Sequence, residues 1–422
     1  MSDRPGAALT GRSLAKSRHP RAQPLACRRM TPTGKLLAEL IALPSVNPAF
    51  APSNLAGPRR AAAADDQPVA PADSRFGEKN AADFLMSVAA RAGLEVEFQE
   101  VLPGRCNVIA RLLPPDKIRS TILLAPHLDT VNAEAVQFTP RRKNGRLHGR
   151  GACDTKGSVA AMLMALCELA NSKSRPRETE IVFAGLVDEE HAQVGSRAFA
   201  AGRFKADLAI VGEPTRLQVV TAHKGSLWLE LETHGRAAHG ATPHLGRNAV
   251  HEMARVVDVL ETDYAARLRR HKHKLLGTAT VNVGSICGGT QPNIVPDRCS
   301  IQIDRRTLPG ETEAGVWREI TALLRAEKLA AHISTKKLGP APALETNPEL
   351  PLVQSFLRSV GQTKPVGVDY FCDAAVLAAA GIPSVVFGPG DIAQAHTADE
   401  WISLASLERG KNLLFRFLNS LP

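Results

Sequence analysis

Short apolar runs alternate with amphipathic stretches along most of this chain. The runs Asn107–Leu113, Thr121–Ala125, Glu180–Val187, Asp207–Val211 and Pro383–Phe387 have strand length and end in turn residues. Between and around them lie helical patterns. Lys35–Ala42 is one. A second starts at Gly77, with Ala81, Phe84, Leu85, Val88 and Ala89 on one face, and stops at Ala92-Gly93. Gly157–Ala170 and Asp373–Ala380 are two more. This alternation predicts an α/β fold whose mostly parallel sheet is covered by helices on both faces.

The texture changes near Leu217. Gln218–Thr233 holds two strand-like runs, Val250–Arg267 a long helix, Ala279–Val283 and Cys299–Asp304 two strands, and Trp317–Leu329 a second helix. Two strands, a helix, two strands and a helix predict an α+β sandwich at 217–335, inserted between the last two parallel strands. The surrounding domain then spans 31–216 and resumes over 336–422. A Pro/Ala-rich stretch to about Ser74 reads as a surface loop.

Composition narrows the function classes. The 422 residues are 44% hydrophobic and 22% charged, which suits folded domains and excludes a wholly disordered chain. The longest apolar run, Val159–Cys167, is far shorter than the ~18 residues of a spanning helix, so no membrane partner is expected. Aromatic residues are only 4%, too few for a groove that stacks single-stranded bases.

The net charge of +10 is misleading as a whole-chain number. Residues 1–35 carry eight basic side chains against one acid, which leaves +3 on the other 387 residues. That reads as a basic disordered tail over 1–30 ahead of a nearly neutral globule, with no nucleic-acid footprint. Arg267, Arg269, Arg270, Lys272 and Lys274 read as a solvated helix end. The seven cysteines are scattered and never form C-x-x-C, which fits free thiols in a reducing, cytoplasmic setting.

The chemistry sits where the apolar runs stop. Thr121–Ala125 leads into Pro126-His127-Leu128-Asp129, and Glu180–Val187 into Asp188-Glu189-Glu190. Asp207–Val211 leads into Gly212-Glu213-Pro214, and Pro383–Phe387 into a glycine loop followed by Asp391 and His396. In an open parallel sheet, ligands bind outside the carboxyl ends of the strands, so four strand ends deliver imidazole and carboxylate to one rim. Carboxylates gathered there repel one another unless a counter-charge is present. Imidazole with carboxylate suits zinc and related divalent ions, and the number of donors suits two ions sharing a bridge. Asp154, in the glycine-rich turn Gly149–Gly157, is the expected bridge. Taken singly, His127 could be a core histidine, Glu189-Glu190 a solvated loop, and Glu213 a helix cap before Pro214.

Pro126-His127-Leu128-Asp129-Thr130-Val131, Gly151-x-x-Asp154-x-Lys156-Gly157, Asp188-Glu189-Glu190, Gly212-Glu213-Pro214-Thr215 and Gln394-Ala395-His396-Thr397 together resemble the dinuclear zinc aminoacylase family. That family includes acetylornithine deacetylase, succinyl-diaminopimelate desuccinylase, aminoacylase and glutamate carboxypeptidase. The likeness runs from about Thr33 to the C-terminus. It implies two divalent ions, zinc with cobalt or manganese as substitutes, one held by His127, Asp154 and Glu213 and the other by Asp154, Glu190 and His396. It implies that Asp129 orients His127, that Glu189 is the general base, and that the Asp154–Thr155 peptide is cis.

In the inserted domain, Thr233–Gly240, Gly289–Pro296 and Asp304–Gly310 are similar to the family's lid motifs. The resemblance makes His239 a catalytic residue that stabilises the oxyanion, usually in the partner subunit's site. Asn293 and Arg306 become substrate-binding residues. Gly240 departs from the serine common after the lid histidine. The reaction implied is removal of the acyl group from an N-acyl amino acid by a homodimer. A carboxypeptidase or dipeptidase acting on short peptides is the alternative within hydrolases, and a catalytically silent binding protein the alternative outside them.

Overall fold

The computed structural model describes residues 30–51, 75–335 and 341–422. The basic tail before Met30 and the Pro/Ala-rich stretch over 52–74 lie outside the described residues. No helix among the described residues is long and apolar enough to cross a membrane.

The first helix, Pro32–Ile41, starts where the sequence provides a cap. The Thr31 hydroxyl accepts from the Gly34 N–H at 3.1 Å, and Pro32 occupies the position whose N–H is not needed. Leu36, Leu37, Leu40 and Ile41 bury its inner face. The helix Lys156–Ala170 is apolar nearly all round, the mark of an element enclosed on every side. It lies between the sheet and the helices Pro32–Ile41 and Leu404–Leu418. Its one buried charge, Lys156, donates to the carbonyls of Leu40 at 2.9 Å and Leu43 at 2.7 Å.

Among the described residues, the large sheet has nine strands. Ser120–Pro126 pairs in parallel with Thr179–Gly185 on one side and Leu208–Gly212 on the other, and Ser384–Val386 runs parallel to Leu208–Gly212. Glu95–Leu102 and Arg105–Leu112 form an antiparallel edge. Alternate residues of the central strands enter two different cores. Ile122, Leu124, Ile181 and Phe183 pack under the Lys156–Ala170 layer, while Leu123, Ala125, Val182 and Ala184 pack with Phe199 and Leu377 on the opposite face. The mainly parallel α/β sheet expected from the sequence is therefore present, with both faces covered.

A second sheet of four antiparallel strands has the order Thr280–Gly288, Arg298–Thr307, Gly225–His234, His332–Thr335. Leu227, Leu229 and Leu231 point to one side, where the helices Ala249–Val259 and Glu313–Ala326 cover them, and Trp228 and Glu230 point away. The long helix predicted from Val250 continues through one π turn at Leu260–Tyr264 before ending at Leu268. Lys272–His273 then forms a short hairpin with Gly277–Thr278, so the basic cluster extends past the helix end into a turn.

One strand belongs elsewhere than expected. Val220–His223, read above as opening the inserted domain, pairs in the large sheet with Ser384–Val386, Leu344–Glu345 and Val366–Val368. All four of its residues are buried, as a strand covered on both faces requires, whereas Gly225–His234 alternates like a strand with one solvent face. The fourth strand of the smaller sheet is supplied from the other end, by His332–Thr335.

Candidate metal centre

Because the four central strands run parallel, their carboxyl ends share one edge of the sheet. His127 follows Pro126 at the end of the first, Glu189 and Glu190 follow the second, Glu213 follows Gly212, and His396 closes the loop after Ser384–Val386. Asp154 comes from the turn that opens the helix Lys156–Ala170. The peptide between Asp154 and Thr155 is cis. Gly151 in that turn has φ +79°, and a Cβ there would stand 2.9 Å from the Thr130 methyl group, so the turn demands glycine.

Asp154 lies between two donor groups. Its Oδ1 is 3.1 Å from His127 Nε2, and its Oδ2 is 3.3 Å from His396 Nε2. His127 Nε2 is also 3.7 Å from Glu213 Oε1, and His396 Nε2 is 3.1 Å from Glu190 Oε2. In each trio, His127–Asp154–Glu213 and Asp154–Glu190–His396, the ligand atoms lie within 4.8 Å of one another. A shared carboxylate flanked by two imidazole–carboxylate pairs is a donor set for two divalent cations. The remaining oxygen of Glu190, Oε1, is buried without a hydrogen-bond partner among the described residues, as a further lone pair facing a cation would be.

The electrostatics agree. Burial pushes Glu189 and Glu213 well above the usual carboxylate range, with Glu213 adding to the rise of the first and Asp154 and Glu190 to that of the second. Burial and the Asp154 charge push Glu190 up to about 6. Hydrogen bonds from His127 and His396 hold Asp154 below its ordinary value despite burial, and those from Asp154 and Glu190 lift His396 to about 10. So many negative groups out of water need positive charge among them.

Around this centre, backbone and side chains fix the donors. His127 Nδ1 is 3.1 Å from the Asp129 carbonyl and 3.4 Å from its Oδ1, which leaves Nε2 for the centre. The Asp129 carboxylate also accepts from Asn47 at 2.7 Å, from the Glu189 N–H at 3.0 Å and from the Glu190 N–H at 3.1 Å. Asp129 thereby couples the first strand end to the second. Glu400 does the same for the bridging turn, accepting from Arg150 and from the N–H groups of Gly151, Cys153 and Asp154 at 2.7–3.0 Å. Beneath the rim, Arg105 is fully buried between Glu78 and Asp188. Asp373 is buried beside Glu189 and accepts from Ser196 at 2.6 Å, and burial pushes its pKa up to about 6.

Sequence reading missed Asn47, Glu78, Arg105, Asp373 and Glu400. Glu400 stood only four positions beyond His396, but a lone acid in a loop carries no pattern.

The lid residues divide. His239 and Asn293 come together at one end of the smaller sheet: the Gly240 N–H donates to the Asn293 carbonyl at 2.7 Å, and His239 pairs with Ile294. His239 is exposed, and its Nδ1 accepts from the Ala241 N–H. Arg306 is at the other end, paired with Ser226, while Arg298 pairs with His234. Eight residues of strand separate the two ends, about 26 Å. Arg306 Nε bonds Asp304 at 2.9 Å, and its guanidinium lies 5.6 Å from the ring centre of Phe371, two residues before Asp373. The neighbouring Arg305 is fully buried and tied to Tyr264 and Glu311, so of the two arginines Arg306 is the one free to meet a ligand.

The sequence profile of Peptidase family M20/M25/M40 matches residues 123–420, and the chain belongs to that family. It is a metal-dependent hydrolase. It is 30% identical over 347 residues to acetylornithine deacetylase of Myxococcus xanthus, covering 79% of this chain and 90% of that one. The same enzyme of Proteus mirabilis is 30% identical over 365 residues, 82% and 92% of the two chains. Among solved structures, an M20 family metallo-carboxypeptidase from Sulfolobus solfataricus superposes with a TM-score of 0.71 at 19% identity over 92% of this chain and 99% of its own. A dinuclear metal-binding M20 peptidase from Bacillus subtilis gives 0.64 at 13%, over 92% and 96%. Those last two likenesses concern the fold.

Proposed function

We propose that the protein is a two-metal amidohydrolase that removes the acyl group from an N-acyl amino acid, in the manner of acetylornithine deacetylase or succinyl-diaminopimelate desuccinylase. The observation that carries this reading is Asp154, whose two oxygens face two separate imidazole–carboxylate pairs. In it, His127, Asp154 and Glu213 hold one ion, and Asp154, Glu190 and His396 the other. Zinc is the favoured metal, with cobalt and manganese as substitutes. Bound there, the ions acidify water and polarise a carbonyl.

The chain's own groups do the rest. Glu189 takes a proton from the attacking water as the new C–O bond forms, and delivers it to the amine nitrogen as the C–N bond breaks. Asp129 holds His127 in the tautomer that offers Nε2. Arg306 grips the substrate's α-carboxylate through two parallel hydrogen bonds. His239 stabilises the oxyanion from a second copy of the chain, and Asn293 binds substrate. The separation of Arg306 from His239 along one lid strand supports that division, since a homodimer brings the opposite lid end of one protomer to its partner. Free thiols at the six described cysteines accord with the cytoplasmic reading.

A peptidase reading is favoured by one observation, the likeness of fold to a metallo-carboxypeptidase. Metal-stripped protein, reloaded with zinc, cobalt or manganese, decides between them when N-acetyl and N-succinyl amino acids are assayed beside dipeptides. Chelation is expected to abolish turnover and reloading to restore it, with the acyl amino acids as the faster substrates. Turnover of dipeptides alone selects the peptidase, and activity that survives full removal of metal rejects the centre.

Shared active sites predict complementation. His239→Ala and Asp154→Ala are each expected to be inactive, yet mixing and exchanging them regenerates one complete site per heterodimer, about a quarter of wild-type activity. No recovery in a mixture shown to contain heterodimers removes His239 as a donor to the partner.

A further inference from the structure

We propose that the Tyr370 hydroxyl is a catalytic hydrogen-bond donor to the carbonyl oxygen of the substrate as that oxygen becomes an oxyanion. The proposal rests on the amidohydrolase reading above and adds to it a residue from this chain's own catalytic domain.

Tyr370 stands in the segment Asp369–Asp373, between the strand Val366–Val368 and the helix Ala374–Ala379. The segment is held from several directions. Lys224 Nζ is 2.7 Å from Asp369, the Arg306 guanidinium lies over Phe371, Cys372 is buried, and Ser196 bonds Asp373. With both neighbours engaged, the tyrosine side chain has a fixed place to go. Its hydroxyl oxygen is buried and has no hydrogen-bond partner among the described residues.

Buried hydroxyls are nearly always paired, so one left open beside a catalytic centre calls for an explanation. The groups within electrostatic reach identify the place: after burial itself, Glu213, Cys372, Asp154 and Cys153 are what push the phenol's pKa up. Glu213 and Asp154 belong to the first donor trio. A tyrosine phenol ordinarily titrates at about 10, so at neutral pH it is a donor and not a base. The acceptor that completes it arrives with the substrate. An amide carbonyl turning tetrahedral at the His127–Asp154–Glu213 group gains negative charge, and a preorganised neutral donor binds that charge more strongly than the ground-state oxygen. Arg306, touching the adjacent Phe371, sets the α-carboxylate end of the same ligand on the same segment.

Tyr370→Phe removes one oxygen that bonds nothing among the described residues, so folding is expected to be preserved. The zinc-loaded variant is expected to lose about 10²–10³-fold in kcat with KM nearly unchanged. A phosphinate analogue, with tetrahedral phosphorus in place of the scissile carbon, is expected to bind the variant more weakly in parallel. Zinc content and melting temperature are expected to match the wild type. Unchanged kcat and unchanged phosphinate affinity overturn the assignment, and so does a loss of bound zinc that accounts for the loss of rate. A wild-type enzyme that hydrolyses no amide overturns the amidohydrolase reading and this inference together. An active wild type with an equally active variant overturns the tyrosine alone.

Discussion

Glu189→Gln is expected to lower kcat by about 10²–10⁴-fold, with KM and metal content little changed. The side chain is nearly fully buried, and its backbone N–H is fastened to Asp129, so the carboxyl is delivered to the rim at a set position. Burial, together with Glu213, Asp373 and Glu190, raises its pKa well above that of a free glutamate, and His127 works the other way. As the base, this carboxylate carries a proton from water to the leaving nitrogen. Glutamine keeps the shape and the packing but cannot carry that proton. Glu189 is outside both donor trios, so two equivalents of metal are expected to remain bound. Steady-state kinetics with elemental analysis on the same sample checks both halves. Full kcat in the glutamine variant would remove Glu189 from the reaction.

Arg105→Met is expected to produce the largest loss of stability, about 3–5 kcal/mol, by leaving two buried carboxylates without their cation. Arg105 Nε bonds Glu78 at 2.8 Å, and its Nη1 is 3.0 Å from Asp188, with all three side chains 2% exposed or less. Asp188 also accepts from Asn47 at 2.9 Å and leads directly into Glu189 and Glu190. The guanidinium therefore supports the loop that carries the base, and the rate constant is expected to fall with the stability. The midpoint of urea unfolding measures the first effect. Pairing the change with Glu78→Leu removes one of the stranded charges and is expected to recover part of the loss, which separates a charge effect from a packing defect. A single variant as stable as the wild type would mean that water reaches these carboxylates.

The rim was legible because each donor follows an apolar run, and parallel strands put such positions at one edge. Asp154 and His396 were legible through their glycine-rich and Gln-Ala-His-Thr surroundings. Motif spacing singled out Arg306, and the strand's alternation agrees, since Ile301, Ile303 and Arg305 share its buried face and Arg306 lies on the other. The supporting groups were not readable. Glu400 meets Asp154 across 246 residues and Arg105 meets Asp188 across 83, and single charged residues in loops or on edge strands have no periodicity to announce them. Val220–His223 was assigned to the wrong sheet because a four-residue buried run looks the same whichever sheet adopts it. Its pairing with segments more than 120 residues away is decided by topology.

Glu400 also has a bearing on how the enzyme matures. The loop that presents Asp154 is clasped by a carboxylate 246 residues further along the chain, and His396 precedes that carboxylate by four positions. A nascent polypeptide that stops before Ser384 can pair its first three central strands, yet lacks the fourth, the clasp and the last imidazole. Loading with ions thus belongs after residue 400 has been made, and a cut before Ser384 would remove a central strand and the helix Leu404–Leu418 along with the last imidazole.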